Sequence, residues 1–185
     1  IGKVAGFEVE VKNQAFDGLL PALQSGKIDL IIAGMTVTDE RKKAVDFSES
    51  YYTASQVIIV PADNAAIKSF DDLKGKNVGV QIGTTGDTVI SEIKEITNTK
   101  YNNGSEAVLA LTTQKVDAVV IDNEPAKNFV AKNTGLKVVD TGAVKEDYAI
   151  AIAKGNKELL DKVNTGLKTL KENGKYDELI AKWFK

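Results

Sequence analysis

One arginine stands among the 24 basic residues of this chain. Arg41 lies in Thr36-Val37-Thr38-Asp39-Glu40-Arg41-Lys42, directly after the apolar run Leu30–Ala33. Lysine serves surface charge everywhere else, so a lone arginine suggests a task that lysine does poorly. A guanidinium is a planar fork that grips a carboxylate through two parallel hydrogen bonds. Asp39 or Glu40 is placed to cap a helix starting here, which would leave backbone N–H groups beside the same anion. The plainer alternative is a surface arginine paired with Glu40 or Asp46. A second anion-binding candidate is Gln81-Ile82-Gly83-Thr84-Thr85-Gly86-Asp87, between a strand pattern and a helix pattern. Its glycines let N–H groups turn inward and its threonines add donors, although it lacks the Lys-Ser/Thr ending of a nucleotide loop. Asp122 is the third candidate. It closes the run Val119-Val120-Ile121, where a carboxylate could hold an ammonium group or cap a helix near Pro125. Phe16 and the Tyr51-Tyr52 pair could line a site or simply pack.

What is absent narrows the chemistry. With neither Cys nor His, thiol nucleophiles, zinc–thiolate sites, the commonest general base and the commonest transition-metal ligand are all missing. No catalytic residue, metal or cofactor is assigned. A net charge of -2 gives no basic footprint for nucleic acid. The longest apolar runs are strand-sized, too short to span a bilayer. Ile1-Gly2-Lys3-Val4 has no basic segment leading into an apolar one, which says little, because a mature chain would have lost its leader.

Elements must position these residues. Short β-branched runs alternate with helical patterns, which predicts parallel sheets with helices on their faces. Val9–Val11, Leu30–Ala33, Val57–Val60, Val78–Val80, Val116–Ile121, Val138–Val139 and Tyr148–Ile152 read as strands. Asp17–Gln24, Thr88–Thr97, Glu106–Thr112 and Pro125–Asn133 read as helices. Leu159, Leu160, Val163, Leu167 and Leu170 recur at helical spacing, as do Tyr176, Leu179, Ile180 and Trp183. The segment 22–32 matches 110–120 at its Ala, Leu, Lys and Asp positions and at the apolar residues after each Asp. Each copy reads as helix end, tight turn and buried strand; convergence is the plainer alternative, since αβ loops reuse similar chemistry, and two lobes of similar α/β build are the preferred reading. Ligands collect at the carboxyl ends of such strands, which points at Gly34-Met35-Thr36 and at Asp122-Asn123.

Several segments together resemble the bacterial amino-acid-binding receptors of ABC importers, the family of glutamine-, arginine- and histidine-binding proteins. They include Phe16-Asp17-Gly18-Leu19-Leu20-Pro21-Ala22-Leu23, Ala33-Gly34-Met35-Thr36-Val37-Thr38-Asp39-Glu40-Arg41 and Val45-Asp46-Phe47-Ser48-Glu49-Ser50-Tyr51-Tyr52. Further matches are Asp71-Asp72-Leu73-Lys74-Gly75-Lys76, Gly83-Thr84-Thr85, 116–122 and the ending 173–184. The resemblance implies a two-lobed, type II periplasmic-binding-protein-like α/β fold, each lobe a sheet flanked by helices. Lobe 1 is expected at 1–55 and 144–185, lobe 2 at 56–143, with the ligand in the cleft. It implies that Arg41 binds the α-carboxylate with Thr36, Gly34 and Thr85, and that Asp122 and the Gly34 carbonyl bind the α-amino group. Phe16 would supply an aromatic wall and Gln81 would tune side-chain selectivity, favouring a polar or basic amino acid. The implied partners are the free amino acid and a membrane permease, not nucleic acid. The implied setting is periplasmic or extracellular, with a lipid anchor in a Gram-positive cell.

The departure lies near the start. Family members carry a first strand, a ligand-lining loop and a covering helix where Gly2-Lys3-Val4-Ala5-Gly6-Phe7 here runs straight into Glu8-Val9-Glu10-Val11. Lobe 1 is therefore expected to be incomplete and to bind weakly, or not at all unless the missing segment is supplied, and its open face invites association where the family is monomeric. The competing readings are a same-scaffold enzyme using Glu or Lys, a sensor domain, and a fragment that keeps the fold without binding.

Overall fold

The two copies of the repeated segment turn in the same way. In the computed structural model, which describes residues 1–184, Gly26 has φ +72° and Gln114, at the equivalent position, has φ +57°. In the first copy Gly26 N–H donates to the Leu23 carbonyl (3.1 Å) and Lys27 N–H to Ala22 (3.0 Å). In the second, Gln114 N–H donates to Leu111 (3.0 Å) and Lys115 N–H to Ala110 (2.8 Å). A left-handed residue thus closes a helix end twice with the same pair of bonds, and a strand follows each.

Along the chain run α1 (Gly2–Ala5), α2 (Leu19–Gln24), β1 (Leu30–Ile31), α3 (Asp39–Ala44), β2 (Val45–Phe47), β3 (Tyr52–Pro61), β4 (Asn77–Gln81) and α4 (Thr85–Glu92). They continue with β5 (Thr97–Tyr101), α5 (Gly104–Thr112), β6 (Ala118–Asp122), α6 (Asn123–Lys132), β7 (Leu136–Tyr148), β8 (Ala151–Ala153), α7 (Lys157–Glu172) and α8 (Lys175–Trp183). Two compact units emerge. Unit 1 comprises Ile1–Gln14, Gly18–Thr53 and the chain from Asp147 onward; unit 2 comprises Ala15–Asp17 and Ala54–Glu146. The boundaries at 53/54 and 146/147 lie two or three residues from the expected 55/56 and 143/144.

Unit 2 holds a five-stranded sheet in the order β5-β4-β6-β3-β7. β4 runs parallel to β5 and β6, and β3 antiparallel to β6. Successive side chains alternate faces. Val57 and Ile59 of β3 join Val119 and Ile121 of β6 in one core with α5 residues Ala107, Val108 and Leu111. Ile58, Val60, Ala118 and Val120 join the other, with Val78, Val80, Leu73 and Ile90. Apolar groups cover both faces, which is why these strands read as continuous apolar runs.

Unit 1 holds a three-stranded sheet, β1-β8-β2, with both pairings antiparallel. The expectation of parallel sheets is therefore corrected: unit 1 is antiparallel and unit 2 mixed. The predicted apolar stripe of α7 packs Leu159, Leu160, Val163 and Leu167 against Ile150 and Ile152 around β8, together with Ile1, Phe7 and Leu30.

Three local expectations also change. Val9–Val11 forms no strand; the segment 7–15 carries no regular element, and Val9 and Val11 are 61% and 86% exposed. An alternating pattern needs a ladder partner to become a strand, and none pairs with it among the described residues. The helix expected over Thr88–Thr97 spans Thr85–Glu92 instead. Thr97 opens β5, an unforeseen strand whose polar sequence, Thr-Asn-Thr-Lys-Tyr, suits the sheet edge it occupies.

Candidate functional site

In unit 1 the candidates follow β1. Gly34 sits so close to the Tyr148 ring that an added Cβ would lie 3.3 Å from it. Thr36 is buried and bridges antiparallel to Tyr148. Arg41 enters through α3, whose cap is Thr38 rather than Asp39 or Glu40: the Thr38 hydroxyl accepts from the Arg41 N–H at 3.1 Å. The Arg41 side chain turns back, and Nη1 donates to the Thr36 carbonyl at 2.7 Å. That bond fixes the guanidinium by one arm. Glu40 is taken by Lys43 (2.6 Å) and Asp46 by Lys154 (2.7 Å), so the ion pairs imagined for Arg41 go to lysines. The Lys154 hydrogen bond and the Gly155 N–H hold Asp46 below the usual carboxylate range. Tyr51 and Tyr52 pack. The Tyr51 hydroxyl donates to the Ala33 carbonyl and burial pushes its pKa up to about 12, while the Tyr52 ring lies 4.3 Å from that of Phe184.

In unit 2 four polar side chains converge at the carboxyl end of β6. Asp122 occupies the N-cap position of α6, yet its side chain makes no capping bond. Instead its carboxylate accepts from Gln56 Nε2 in a short hydrogen bond. Gln56 Nε2 also reaches Thr85 Oγ1 (3.0 Å) and Glu146 Oε2 (3.4 Å), and the Thr85 hydroxyl donates to Glu146 at 2.6 Å. Sequence reasoning singled out Thr85 and Asp122 but missed Gln56 and Glu146. Its available signal was a polar residue immediately before the buried run Val57–Val60.

The loop before α4 is built by its glycines and Asp87. Gly83 adopts φ +77° against Asp17, where a Cβ would lie 3.1 Å away. Thr84 caps α4 by accepting from the Asp87 N–H at 3.2 Å. Asp87, 6% exposed, accepts from Gly83 N–H (3.1 Å), Asn98 (3.0 Å) and Lys100 (2.9 Å). Burial alone would raise its pKa, but these bonds and the Lys100 charge outweigh it and hold the carboxyl below its usual range. Asp87 is thus a strut for the loop. Gln81 ends β4 half-buried, its amide reaching the Asn102 carbonyl at 3.5 Å. Phe16, half-buried, groups with unit 2 through the segment Ala15–Asp17. The site residues thus gather in two sets: Gly34, Thr36 and Arg41 in unit 1, and Phe16, Gln81, Thr85 and Asp122 in unit 2. A groove of about 570 Å³ along β1 of unit 1 is lined by none of them. Among the described residues no group of acidic side chains could hold a metal ion.

Two α/β units, with β3 and β7 running across the boundaries between them, match the periplasmic-binding-protein-like fold. The chain belongs to the bacterial extracellular solute-binding proteins, family 3, whose pattern matches residues 1–185. It is 38% identical over 190 residues to the arginine-binding extracellular protein ArtP of Bacillus subtilis (strain 168), covering all of this chain and 74% of ArtP. It is 37% identical over 188 residues to a probable histidine-binding protein of Campylobacter jejuni, covering 99% of this chain and 72% of that one. Among solved structures, an ancestral arginine-binding protein bound to arginine matches with a TM-score of 0.96 and 48% identity, covering 100% of this chain and 84% of that one. An ancestral amino-acid-binding protein described as a precursor of cyclohexadienyl dehydratase matches at a TM-score of 0.90 and 44% identity, covering 97% and 79%.

Proposed function

We propose that this chain is an extracytoplasmic receptor that captures a polar or basic L-amino acid, of the glutamine, arginine or lysine kind, for an ABC importer. Arg41 takes the α-carboxylate with Thr36, Gly34 and Thr85, and Asp122 takes the α-ammonium. Phe16 supplies an aromatic wall and Gln81 reads the side chain. The observation that carries this reading is Arg41, whose backbone N–H is held by the Thr38 cap and whose Nη1 is held by the Thr36 carbonyl, which orders the guanidinium before a carboxylate arrives. The names of the relatives, which are arginine-, histidine- and glutamine-binding proteins, agree with that chemistry. The named relatives are binding proteins, so capture rather than turnover is expected. Segment 7–15 forms no element, so fewer walls hold the ligand and the Kd is expected above the micromolar range.

The test is thermal unfolding against a panel of amino acids at millimolar concentration. Saturation at a hundredfold over Kd should stabilise the fold by about 2.7 kcal/mol. A selective shift that disappears in Arg41→Ala supports the reading. A cooperatively unfolding chain with no shift from any amino acid would refute it in favour of a fold kept without binding.

A further inference from the structure

From Glu8 to Gln14 every residue is exposed, and the chain passes without a turn, a bend or a left-handed residue. No backbone N–H or carbonyl of this stretch makes a backbone hydrogen bond among the described residues. Its sequence alternates strictly at the start, Glu8-Val9-Glu10-Val11-Lys12. Lys12 Nζ lies 3.8 Å from Glu10 Oε2, so these two side chains project to one side. The valines fall on the other, by the two-residue period of an extended chain. Val9 and Val11 line the groove beside β1 together with Ile32, itself 58% exposed. β1 is an edge strand, paired with β8 alone among the described residues. A row of free backbone groups beside exposed valines is a template for strand pairing.

We infer that the missing strand partner is a second copy of this chain, the two stretches pairing antiparallel about a two-fold axis at Val11. Such an interface is isologous, so the stretch must complement itself. Centred on Val11, it does. Glu10 stands opposite the partner's Lys12, Val11 opposite the partner's Val11 and Glu8 opposite the partner's Gln14, so no like charges face each other. Opposite charges and β-branched side chains in facing positions stabilise an antiparallel pair, whereas facing like charges destabilise it. Centring on Glu10 instead sets that carboxylate against itself, and a parallel in-register pairing sets every charge against its own kind. Charge complementarity thus selects the occupant and the register together. It also gathers the valines of both copies on one face of the ribbon. A two-stranded ribbon is marginal alone, and here the valine face is backed by the apolar residues that share its groove, among them Ile28, Leu30 and Ile32.

Sedimentation equilibrium of the full chain, from micromolar to millimolar concentration, reads the assembly directly. The unmutated chain should pass from monomer toward dimer over that range. Glu10→Lys and Lys12→Glu, made singly, each set like charges opposite one another and should raise the dimer dissociation constant by about tenfold or more. The double variant Glu10→Lys/Lys12→Glu restores opposite charges and should return the constant to near that of the unmutated chain. Both side chains are exposed, so the folded monomer should be unaltered, which a thermal scan at low concentration checks. Amide hydrogen exchange should find Val9–Asn13 protected in the dimer and open in the monomer. A chain that stays monomeric throughout the range would overturn the inference. So would single variants that associate as well as the unmutated chain, or a double variant that fails to regain association. Dimers in which these amides stay open would overturn it too, by placing the interface elsewhere on the molecule.

Discussion

At Arg41 one arm of the guanidinium is engaged by the Thr36 carbonyl at 2.7 Å. Lysine keeps the charge but loses the fork. Arg41→Lys is accordingly expected to cut amino-acid affinity by about tenfold or more while moving the unfolding temperature little, read by titration and by a thermal scan. Asp87 illustrates a different use of charge. Its folded pKa is depressed, so its stabilisation is fully present above the unfolded carboxylate value near 4 and is lost as pH falls through the folded value. Asp87→Asn should lower stability at pH 7 by about 1–3 kcal/mol. The gap to the unmutated chain should narrow as the pH falls through the folded value, as urea unfolding at pH 7 and in acid would show. A gap that persists in acid would mean that Asp87 acts by packing alone.

The repeated helix-end turn makes the elements testable against each other. Gln114 holds a left-handed conformation that costs an L-residue roughly 1–2 kcal/mol, whereas Gly26 holds its equivalent freely. Gln114→Gly is expected to be neutral or stabilising by up to about 1 kcal/mol, and Gly26→Gln to destabilise by about as much. Chemical denaturation of the two variants checks both signs at once. Thr84, which caps α4, adds an independent measure: Thr84→Ala should cost about 1 kcal/mol. The repeat was readable because a helix end needs local residues at fixed offsets. β5 was not, because nothing in Thr97–Tyr101 marks a strand apart from the neighbour it pairs with along its full length. Val9–Val11 erred the opposite way, offering the alternating pattern without a partner to meet it.

For the molecule as a whole, stability is carried by unit cores. Ile58 is wholly buried in the layer that also holds Val78, Val80 and Val120. Ile58→Ala should cost about 2–5 kcal/mol. It should lower the urea midpoint without changing the slope if the chain unfolds in one step. A changed slope would mean that the two units unfold separately.

The sequence by itself determined the α/β class, the apolar layers of unit 2 and the stripe of α7, since these depend on periodicity within one segment. It also singled out Arg41, Thr85 and Asp122, residues whose chemistry is unusual for their place in the chain. Tertiary structure alone decided strand direction, the fate of Val9–Val11 and the network of Gln56, Thr85, Asp122 and Glu146. Gln56 and Glu146 are 90 residues apart, and their shared hydrogen bonding exists only once β3, β6 and β7 lie in one sheet. A ladder or a polar cluster is a relation between distant segments, and no single stretch of sequence contains it.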